Sequence, residues 1–318
     1  MPRRAERAWV GRAALLAVLA AVAGFLLLGL LRPEAVLRGG YLVLGAALGI
    51  ERHTVELEGR RIAVLEAGPA DAPAIVLLHG FTGAKENWLP LMAVLARSHR
   101  VVAPDLPGWG ESERVAGADH GVLAQAERVA RWLRQRGEPP ALLVGHSKGG
   151  HIAALVAARH PEQVPRLALI AAAGVPFAEN AFAREVLAGG HPFAVDDRAS
   201  LRHYLGLVFT DPPVLPWPLG RALIRQRIAD AAFEHEVLAT LRGPERFAVQ
   251  PLLPDITAPT LLLWCDDDRV IDPSAADQFA AGLPRERVLR LPGCGHMPML
   301  AALPATAAAL REAAAASP

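Results

Sequence analysis

Short apolar segments bounded by turn-forming residues recur along most of this chain, and segments with helical periodicity separate them. Short runs that are apolar at consecutive positions are typical of strands buried on both faces of a parallel sheet. Their alternation with helices predicts a doubly wound α/β sheet, and a hydrophobic content of 52% is enough to bury its core. The predicted strands are residues 74–78, 101–103, 141–144, 167–171, 260–264 and 288–291.

The alternation stops between residues 175 and 255, where no clear strand pattern is present. An insertion of this length is too long for a loop, so we expect it to form a helical subdomain. Ligands bind outside the carboxyl ends of the strands in such sheets, and an insertion over these ends would cover the site. We therefore predict a helical cap at residues 175–255 between two parts of an α/β core, residues 54–174 and 256–318.

Residues 13–31 are uncharged and mostly apolar, and they are numerous enough for one helical span of a bilayer. More arginines precede this segment than follow it, which predicts a cytoplasmic N-terminus. A cleaved signal peptide is the rival interpretation, but its apolar region is usually shorter, and Leu30-Leu31-Arg32-Pro33 is a poor cleavage site. The arginines are Arg3, Arg4, Arg7 and Arg12 before the segment and Arg32 and Arg38 after it.

We therefore predict an uncleaved membrane anchor at residues 1–38, with the rest of the chain on the periplasmic side of a bacterial inner membrane. A bacterial source is inferred because arginine greatly outnumbers lysine, as in GC-rich genomes. Residues 39–53 form an apolar connector too short to span, which would lie in the membrane interface or dock on the folded domain.

Charge and cysteine content exclude several classes of function. Lys+Arg 33 and Asp+Glu 32 nearly balance, so no basic surface for nucleic acid is indicated. Two cysteines are too few for a disulfide-built fold or a cysteine-built zinc site, and no metal site is predicted.

The sequence Gly145-His146-Ser147-Lys148-Gly149 follows a predicted strand directly and precedes a helix. This G-x-S-x-G pattern in this context is typical of a nucleophile elbow, a sharp turn that exposes a serine oxygen. The flanking residues must be small, which Gly145 and Gly149 satisfy. We therefore predict that Ser147 is a nucleophile.

A serine nucleophile needs a base, and the base needs an orienting acid. Of eleven histidines, only His296 follows a strand end downstream of suitable acids, so we predict that it is the general base. Asp268 is the predicted orienting acid. Three neighbouring carboxylates stay open as alternatives, and at least two of the four should have ordinary surface or capping roles. These alternatives are Asp266, Asp267 and Asp272.

An oxyanion hole requires two backbone N–H donors. We predict that one belongs to Lys148, directly after the nucleophile, and the other to Phe81 in the loop His79-Gly80-Phe81-Thr82-Gly83. Three histidines near these turns, His79, His146 and His151, are interpreted as packed structural residues. The aromatic residues of the insertion would line an acyl pocket or form the insertion's own core; they are Phe177, Phe182, Phe193, Phe209 and Trp217.

These motifs resemble those of the α/β-hydrolase superfamily over residues 51–302, and the Asp105–Ser112 turn adds to the match. The chain is similar in particular to membrane-anchored monoacylglycerol lipases and related bacterial lipases. That similarity rests on the N-terminal anchor, Lys85-Glu86-Asn87-Trp88 and Phe209-Thr210-Asp211-Pro212-Pro213. The resemblance implies an α/β-hydrolase fold and hydrolysis of lipid esters at a membrane surface without a cofactor.

The chain departs from this family at two positions. Lys148 stands where an apolar residue such as Met is usual, and Met299-Leu300-Ala301 replace a frequent acidic residue. Lys148 could attract an acidic headgroup or stabilise an oxyanion. We favour the alternative that its stem packs and its ammonium reaches water.

Cys265 lies at the end of the predicted strand 260–264, and Cys294 lies just after the predicted strand 288–291. These strands should be neighbours in the sheet, so the two cysteines would flank the loop of the acid and the loop of the histidine. In a periplasmic domain, a disulfide could join these loops. Two buried free thiols are the alternative that we favour.

Three functions compete. The favoured one is a serine hydrolase acting on monoacylglycerols or similar amphipathic esters through an acyl-enzyme. The second keeps the triad but acts on a non-lipid bond, as a C–C hydrolase, an amidase or a perhydrolase. The third is a non-catalytic membrane-tethered binding protein. The presence of a complete predicted catalytic set, Ser147, Asp268 and His296, disfavours this third function.

Overall fold

The computed structural model describes the backbone of residues 2–316 and the side chains of residues 15–316. Eight strands form one sheet with the order β1-β2-β4-β3-β5-β6-β7-β8. Strand β2 is antiparallel to β1 and β4, and the other neighbours are parallel. The strands are β1 Glu51–Leu57, β2 Arg60–Ala67, β3 Ala74–Leu78, β4 Arg100–Pro104, β5 Leu142–His146, β6 Leu167–Ile170, β7 Thr260–Cys265 and β8 Glu286–Leu291.

Helices cover both faces of this sheet and also form a separate group between β6 and β7. The helices are α1 Pro2–Leu31, α2 Pro33–Ala47, α3 Leu89–Leu95, α4 Val122–Gln135, α5 Lys148–Arg159, α6 Ala181–Leu187, α7 Arg198–Val208, α8 Leu219–Arg242, α9 Ser274–Gly282, α10 Pro298–Ala301 and α11 Leu303–Ala315. The predicted doubly wound α/β sheet is confirmed.

Strand β3 shows why its sequence is apolar at every position. Val76 and Leu78 pack into the core with α4, α5 and α9, whereas Ile75 and Leu77 pack into the core with α3 and α11. Successive strand residues point to opposite faces, so a central strand must be apolar on both. Strand β8 differs, because it is the sheet edge and Val288 is 40% exposed. Residues 288–291 therefore do belong to a parallel strand, but the expectation that this strand is buried is wrong.

Residues between β6 and β7 contain three helices, α6 to α8, and short 3₁₀ turns, without a strand. Phe182 and Phe193 of this region pack against the same core as β5 and α5. The region therefore lies over the side of the sheet where α5 begins.

The chain breaks its N-terminal helix at Arg32, before Pro33. Within residues 15–316, no single helix has the length and apolar composition to cross a membrane. The segments Leu15–Leu31 and Pro33–Ala47 meet both criteria only as a pair, bent by 116°. The side chains of Arg3, Arg4, Arg7 and Arg12 lie outside the described residues, so the membrane anchor and its orientation stay predictions.

Helix α2 crosses the predicted boundary between anchor and connector, and it lies against α8. Tyr41 packs against the core, whereas Leu42 and Val43 are exposed. The connector therefore has one face on the folded domain and one apolar face outward.

Candidate active site

Ser147 lies in the turn between β5 and α5, with φ of 55° and ψ of −121°. A residue with a side chain pays a steric cost for positive φ, and such strain persists mainly at functional sites. The turn requires its two glycines. A Cβ at Gly145 would lie 2.3 Å from the Gly149 carbonyl oxygen, and a Cβ at Gly149 would lie 2.4 Å from the His79 carbonyl oxygen.

His296 and Asp268 lie in contact in the interior. The Nδ1 of His296 is 2.8 Å from Oδ2 of Asp268. The other oxygen, Oδ1, accepts hydrogen bonds from the backbone N–H groups of Val270 (2.8 Å) and Ile271 (3.1 Å). The carboxylate therefore holds the imidazole with Nδ1 protonated and leaves Nε2 free for a second partner.

The other three carboxylates of this loop lie elsewhere. Asp266 and Asp267 are exposed to solvent. Asp272 accepts a hydrogen bond from the N–H of Ser274 at the start of α9. Only Asp268 among the four contacts His296.

Ser147 and His296 line the same small cavity, which has a volume of about 440 Å³, part of it open to solvent. The loop from His79 to Gly83 forms one wall, and a Cβ on Gly80 would lie 3.1 Å from that of Ser147. The predicted acid and base thus meet from the loops after β7 and β8, and the predicted nucleophile, in the turn after β5, shares a cavity with the base.

The two residues predicted to form the oxyanion hole also lie beside Ser147. Phe81 and Lys148 line a second cavity that Ser147 shares. Lys148 is the first residue of α5, so its N–H is one of the unpaired donors at a helix N-terminus, where negative charge is stabilised.

His79 and His146 are buried and hold the loops around Ser147. Leu106 N–H donates to Nε2 of His79, so the proton of His79 lies on Nδ1, which is 2.8 Å from the Gly80 carbonyl. Nε2 of His146 donates to the carbonyl of His296 over 2.7 Å. Burial lowers the pKa of His79 to about 4 and that of His146 well below its usual value. Both histidines are neutral and structural, as expected.

The ammonium of Lys148 does not reach water, contrary to the interpretation that the sequence favours. The side chain is 2% exposed, and its Nζ lies 3.8 Å from the centroid of the Trp109 ring. It donates to the carbonyl of His120 over 3.2 Å. The stem lines the cavity that Lys148 shares with Phe81. The ammonium group at its end contacts Trp109 and His120 in the interior instead of reaching solvent. Burial lowers the pKa of Lys148 to about 7.

The second cavity is larger and mainly apolar, with a volume of about 770 Å³, part of it open to solvent. Phe177, Phe182 and Phe193 line it, so these aromatic residues form a pocket beside Ser147. Phe209 packs against the core instead, and Trp217 lies against α1, 5.9 Å from the ring of Phe25. Ser147 thus lies where the smaller cavity, which has polar and apolar lining residues, meets the larger and mainly apolar one.

Cys265 and Cys294 are joined by a disulfide, rather than present as the two free thiols that the sequence favours. Cys265 ends β7 beside Leu291 of β8, and Cys294 follows three residues later, which brings the two Cα atoms within 5.2 Å. The bond joins the loop of Asp268 to the loop of His296.

Sequence reasoning missed two polar pairs near the site. Tyr204 and Thr82 line the smaller cavity, with their hydroxyl oxygens 3.1 Å apart. Nζ of Lys85, which is buried, lies 2.7 Å from Oδ2 of Asp105. No pattern in the sequence indicates Tyr204, whereas Lys85 and Asp105 stand in two of the segments on which the family resemblance rests. Among residues 15–316, no group of three or more His, Cys, Asp or Glu side chains could hold a metal ion.

The fold and this site define a class of protein, the α/β hydrolases. Residues 75–309 match the alpha/beta hydrolase family, and the chain belongs to it. Its structure is similar to the crystal structure of a membrane phospholipase A described as a bacterial virulence factor. The TM-score is 0.84 and the identity 38%, with 96% of this chain and 97% of the other covered.

Two curated relatives are lipases. The chain is 28% identical to monoacylglycerol lipase ABHD6 of Bos taurus, over 88% of this chain and 86% of the relative. It is 28% identical to Lipase 1 of Psychrobacter immobilis, over 78% of this chain and 79% of the relative. The chain is therefore a hydrolase with lipase-like relatives.

Proposed function

We propose that this protein is a serine hydrolase that cleaves carboxylic esters of amphipathic lipids, such as monoacylglycerols, while held at a membrane by its N-terminal helices. The observation that carries the proposal is the apolar cavity beside Ser147, which suits an acyl chain. The lipase relatives and the membrane phospholipase A support the same substrate class.

In the proposed reaction, Oγ of Ser147 attacks the ester carbonyl while Nε2 of His296 takes its proton. The N–H groups of Phe81 and Lys148 stabilise the oxyanion. His296 then passes the proton to the leaving alcohol and later activates the water that releases the acid. Asp268 holds the imidazole and stabilises its charged form.

The proposed reaction indicates which part of the substrate would occupy each of the two cavities. Because His296 must stand beside the leaving oxygen, the alcohol occupies the smaller cavity that His296 lines. Thr82 and Tyr204 offer hydroxyl groups there, which suit a hydroxylated headgroup such as glycerol. The acyl chain extends into the larger cavity.

The test is hydrolysis of p-nitrophenyl esters from C2 to C16 and of 1-monoacylglycerols by detergent-solubilised protein. We expect rates that peak at medium or long chains, and a loss of at least about 1,000-fold in kcat for Ser147→Ala. Ser98→Ala is the matched control, since Ser98 is exposed and does not line either cavity.

A fluorophosphonate probe separates the alternatives. Labelling of Ser147 without hydrolysis of any ester would contradict the lipid substrate and favour the same triad acting on another bond. A folded protein that is neither labelled nor active would instead favour a binding protein.

A further inference from the structure

A groove with a cationic lining lies on the insertion, between the first two turns of α7, the first two turns of α8 and the proline-rich loop that joins these helices. It has a volume of about 1230 Å³, part of it open to solvent, and we call it the outer groove. It shares no lining residue with the two cavities beside Ser147. Three arginines line it together with apolar side chains, and they are Arg198, Arg202 and Arg221.

The three arginines of the outer groove have no ion-pair partner in the part of the chain that the structure describes. Within residues 15–316, none of their guanidinium nitrogens lies within 4 Å of a carboxylate oxygen, and the ion pairs of the insertion involve other arginines. The carboxylates of Asp196 and Asp197 instead accept hydrogen bonds from Ser200 at the start of α7. Asp211 precedes the loop but does not line the groove. The lining is therefore positively charged and open to an anion.

The rim of the outer groove lies against the proposed membrane anchor. Trp217 lines the groove, and its ring lies 5.9 Å from the ring of Phe25 in α1. A Cβ on Gly29 of α1 would lie 2.4 Å from the same tryptophan ring. Helix α1 ends at Leu31, so these contacts lie within about 9 Å of its end along the helix axis. If α1 enters a bilayer, Trp217 lies near the headgroups, where tryptophan is enriched in membrane proteins.

The loop beside the outer groove also exposes apolar side chains. Val214 is 92% exposed, and Trp217 is 40% exposed despite its contact with α1. Phe25 and Leu28 of α1 are exposed as well, so the apolar surface continues from the anchor onto the loop. Apolar side chains next to unpaired cations match the surface of a bilayer, which offers acyl chains and anionic headgroups side by side.

We propose that the outer groove binds the headgroups of anionic phospholipids in the membrane that holds α1, while Val214 enters the interface beside them. A guanidinium group suits this ligand, because it can donate two parallel hydrogen bonds to a phosphate. This lipid site is separate from the cavities assigned to the substrate, and so it goes beyond the proposed function. It rests on the proposed membrane anchoring but not on ester hydrolysis by Ser147.

The experiment is photo-crosslinking of the full-length protein in nanodiscs with equal amounts of phosphatidylglycerol and phosphatidylcholine. The chain has two cysteines and both are paired, so a benzophenone maleimide on Val214→Cys is the single label. Ser147→Ala is included to prevent hydrolysis of the lipids. Mass spectrometry should find phosphatidylglycerol crosslinked roughly tenfold more than phosphatidylcholine. Tethering by α1 brings both lipids equally close, so it does not contribute to this ratio.

Removal of the three arginines should abolish the preference. In Arg198→Gln/Arg202→Gln/Arg221→Gln, the two lipids should be crosslinked equally to within about twofold, because the attraction to anionic headgroups is lost. If this variant does not fold, the salt dependence of the unaltered groove decides. Raising the salt from about 0.1 M to 1 M shortens the Debye length from about 10 Å to 3 Å, so the ratio should fall several-fold. An unchanged ratio would contradict the proposal.

The matched control is Arg97→Gln/Arg134→Gln/Arg285→Gln. It removes the same charge at three exposed arginines that do not line the outer groove. This control should keep the tenfold ratio. An equal loss of the ratio in both triple variants would overturn the proposal, because net charge rather than the groove would then select the lipid.

A second label position separates this proposal from the membrane anchoring. Val22 is exposed on α1, and a label on Val22→Cys should crosslink both lipids without preference. Crosslinking of lipid from Val22 but not from Val214 would overturn the proposal and leave the anchoring intact, whereas no lipid from either position would overturn both. Equal crosslinking of the two lipids from Val214, or crosslinking of Val214 to a second copy of the protein, would also overturn it.

Discussion

The two lysines of this chain are both buried, but their surroundings differ. Lys85 has the carboxylates of Asp105 and Glu86 beside it; although burial opposes the charge, these carboxylates raise its pKa. Lys148 has an aromatic ring and a carbonyl oxygen as partners, and burial lowers its pKa to about 7. A paired buried charge is held in place, whereas an unpaired one destabilises the fold.

Replacing Lys148 with Met should therefore stabilise the protein near neutral pH by about 2 kcal/mol, since Met fills a similar volume without the desolvated charge. Between pH 7 and 10.5 the unfolded chain binds a proton at Lys148 that the folded protein does not. Wild-type stability relative to Lys148→Met should thus rise with pH across this window. Urea unfolding at several pH values measures the difference.

Lys85→Met is the comparison, because it leaves Asp105 buried without its cation. It should destabilise the protein by about 3–5 kcal/mol. A Lys148→Met protein that is less stable than the wild type at pH 7 would show that the contacts with Trp109 and His120 outweigh the cost of burial.

The loops after β7 and β8 carry the acid and the histidine of the candidate site. They leave the same edge of the sheet because the two strands are parallel neighbours. Besides the Asp268–His296 contact, the N–H of Asp267 donates to the carbonyl of Cys294 over 3.3 Å, and the disulfide joins the loops covalently. These loops therefore form one unit whose geometry depends on both strands.

Removal of the disulfide should destabilise the protein by about 3–4 kcal/mol, since it closes a loop with a sequence separation of 29 residues. Guanidinium unfolding of the wild type with and without reductant measures this loss of stability, because the reductant can reach the disulfide in the unfolded chain. The Cys265→Ala/Cys294→Ala protein should not respond to reductant. An unchanged unfolding midpoint of the wild type would contradict the prediction.

The helices between β6 and β7 connect the candidate site with the N-terminal helices. Phe193 lines both cavities, and Arg227 of α8 donates to its carbonyl over 2.6 Å. On the other side of α8, Arg225 donates to the carbonyl of Leu31 over 3.0 Å. The insertion is thus in contact with α1 on one side and with the cavities on the other.

We expect the folded domain that follows the N-terminal anchor to lie on the periplasmic side of the membrane. Alkaline phosphatase folds only in an oxidising compartment, so a fusion after Pro318 should be active in a bacterial host, and a fusion that lacks residues 2–31 should not. A green fluorescent protein fusion gives the opposite readout. A fluorescent full-length fusion with inactive phosphatase would reverse the predicted orientation.

Much of the fold could be predicted from the sequence, because it depends on patterns within short segments. The strands buried on both faces are apolar at consecutive positions, and the missing pattern at residues 175–255 marked the insertion. Ser147 could be named as the candidate nucleophile for the same reason. Its turn needs glycines at fixed positions, and a strand and a helix must flank it.

The remaining features depend on contacts between residues far apart in the chain. Three neighbouring carboxylates competed with Asp268, and only the packing of two loops shows which one contacts His296. Likewise, the directions of Cys265 and Cys294, the burial of the Lys148 ammonium and the grouping of three arginines in the outer groove follow from neighbours on other elements. Local patterns specify which elements form and in what order. Side-chain direction and burial arise only when those elements pack together.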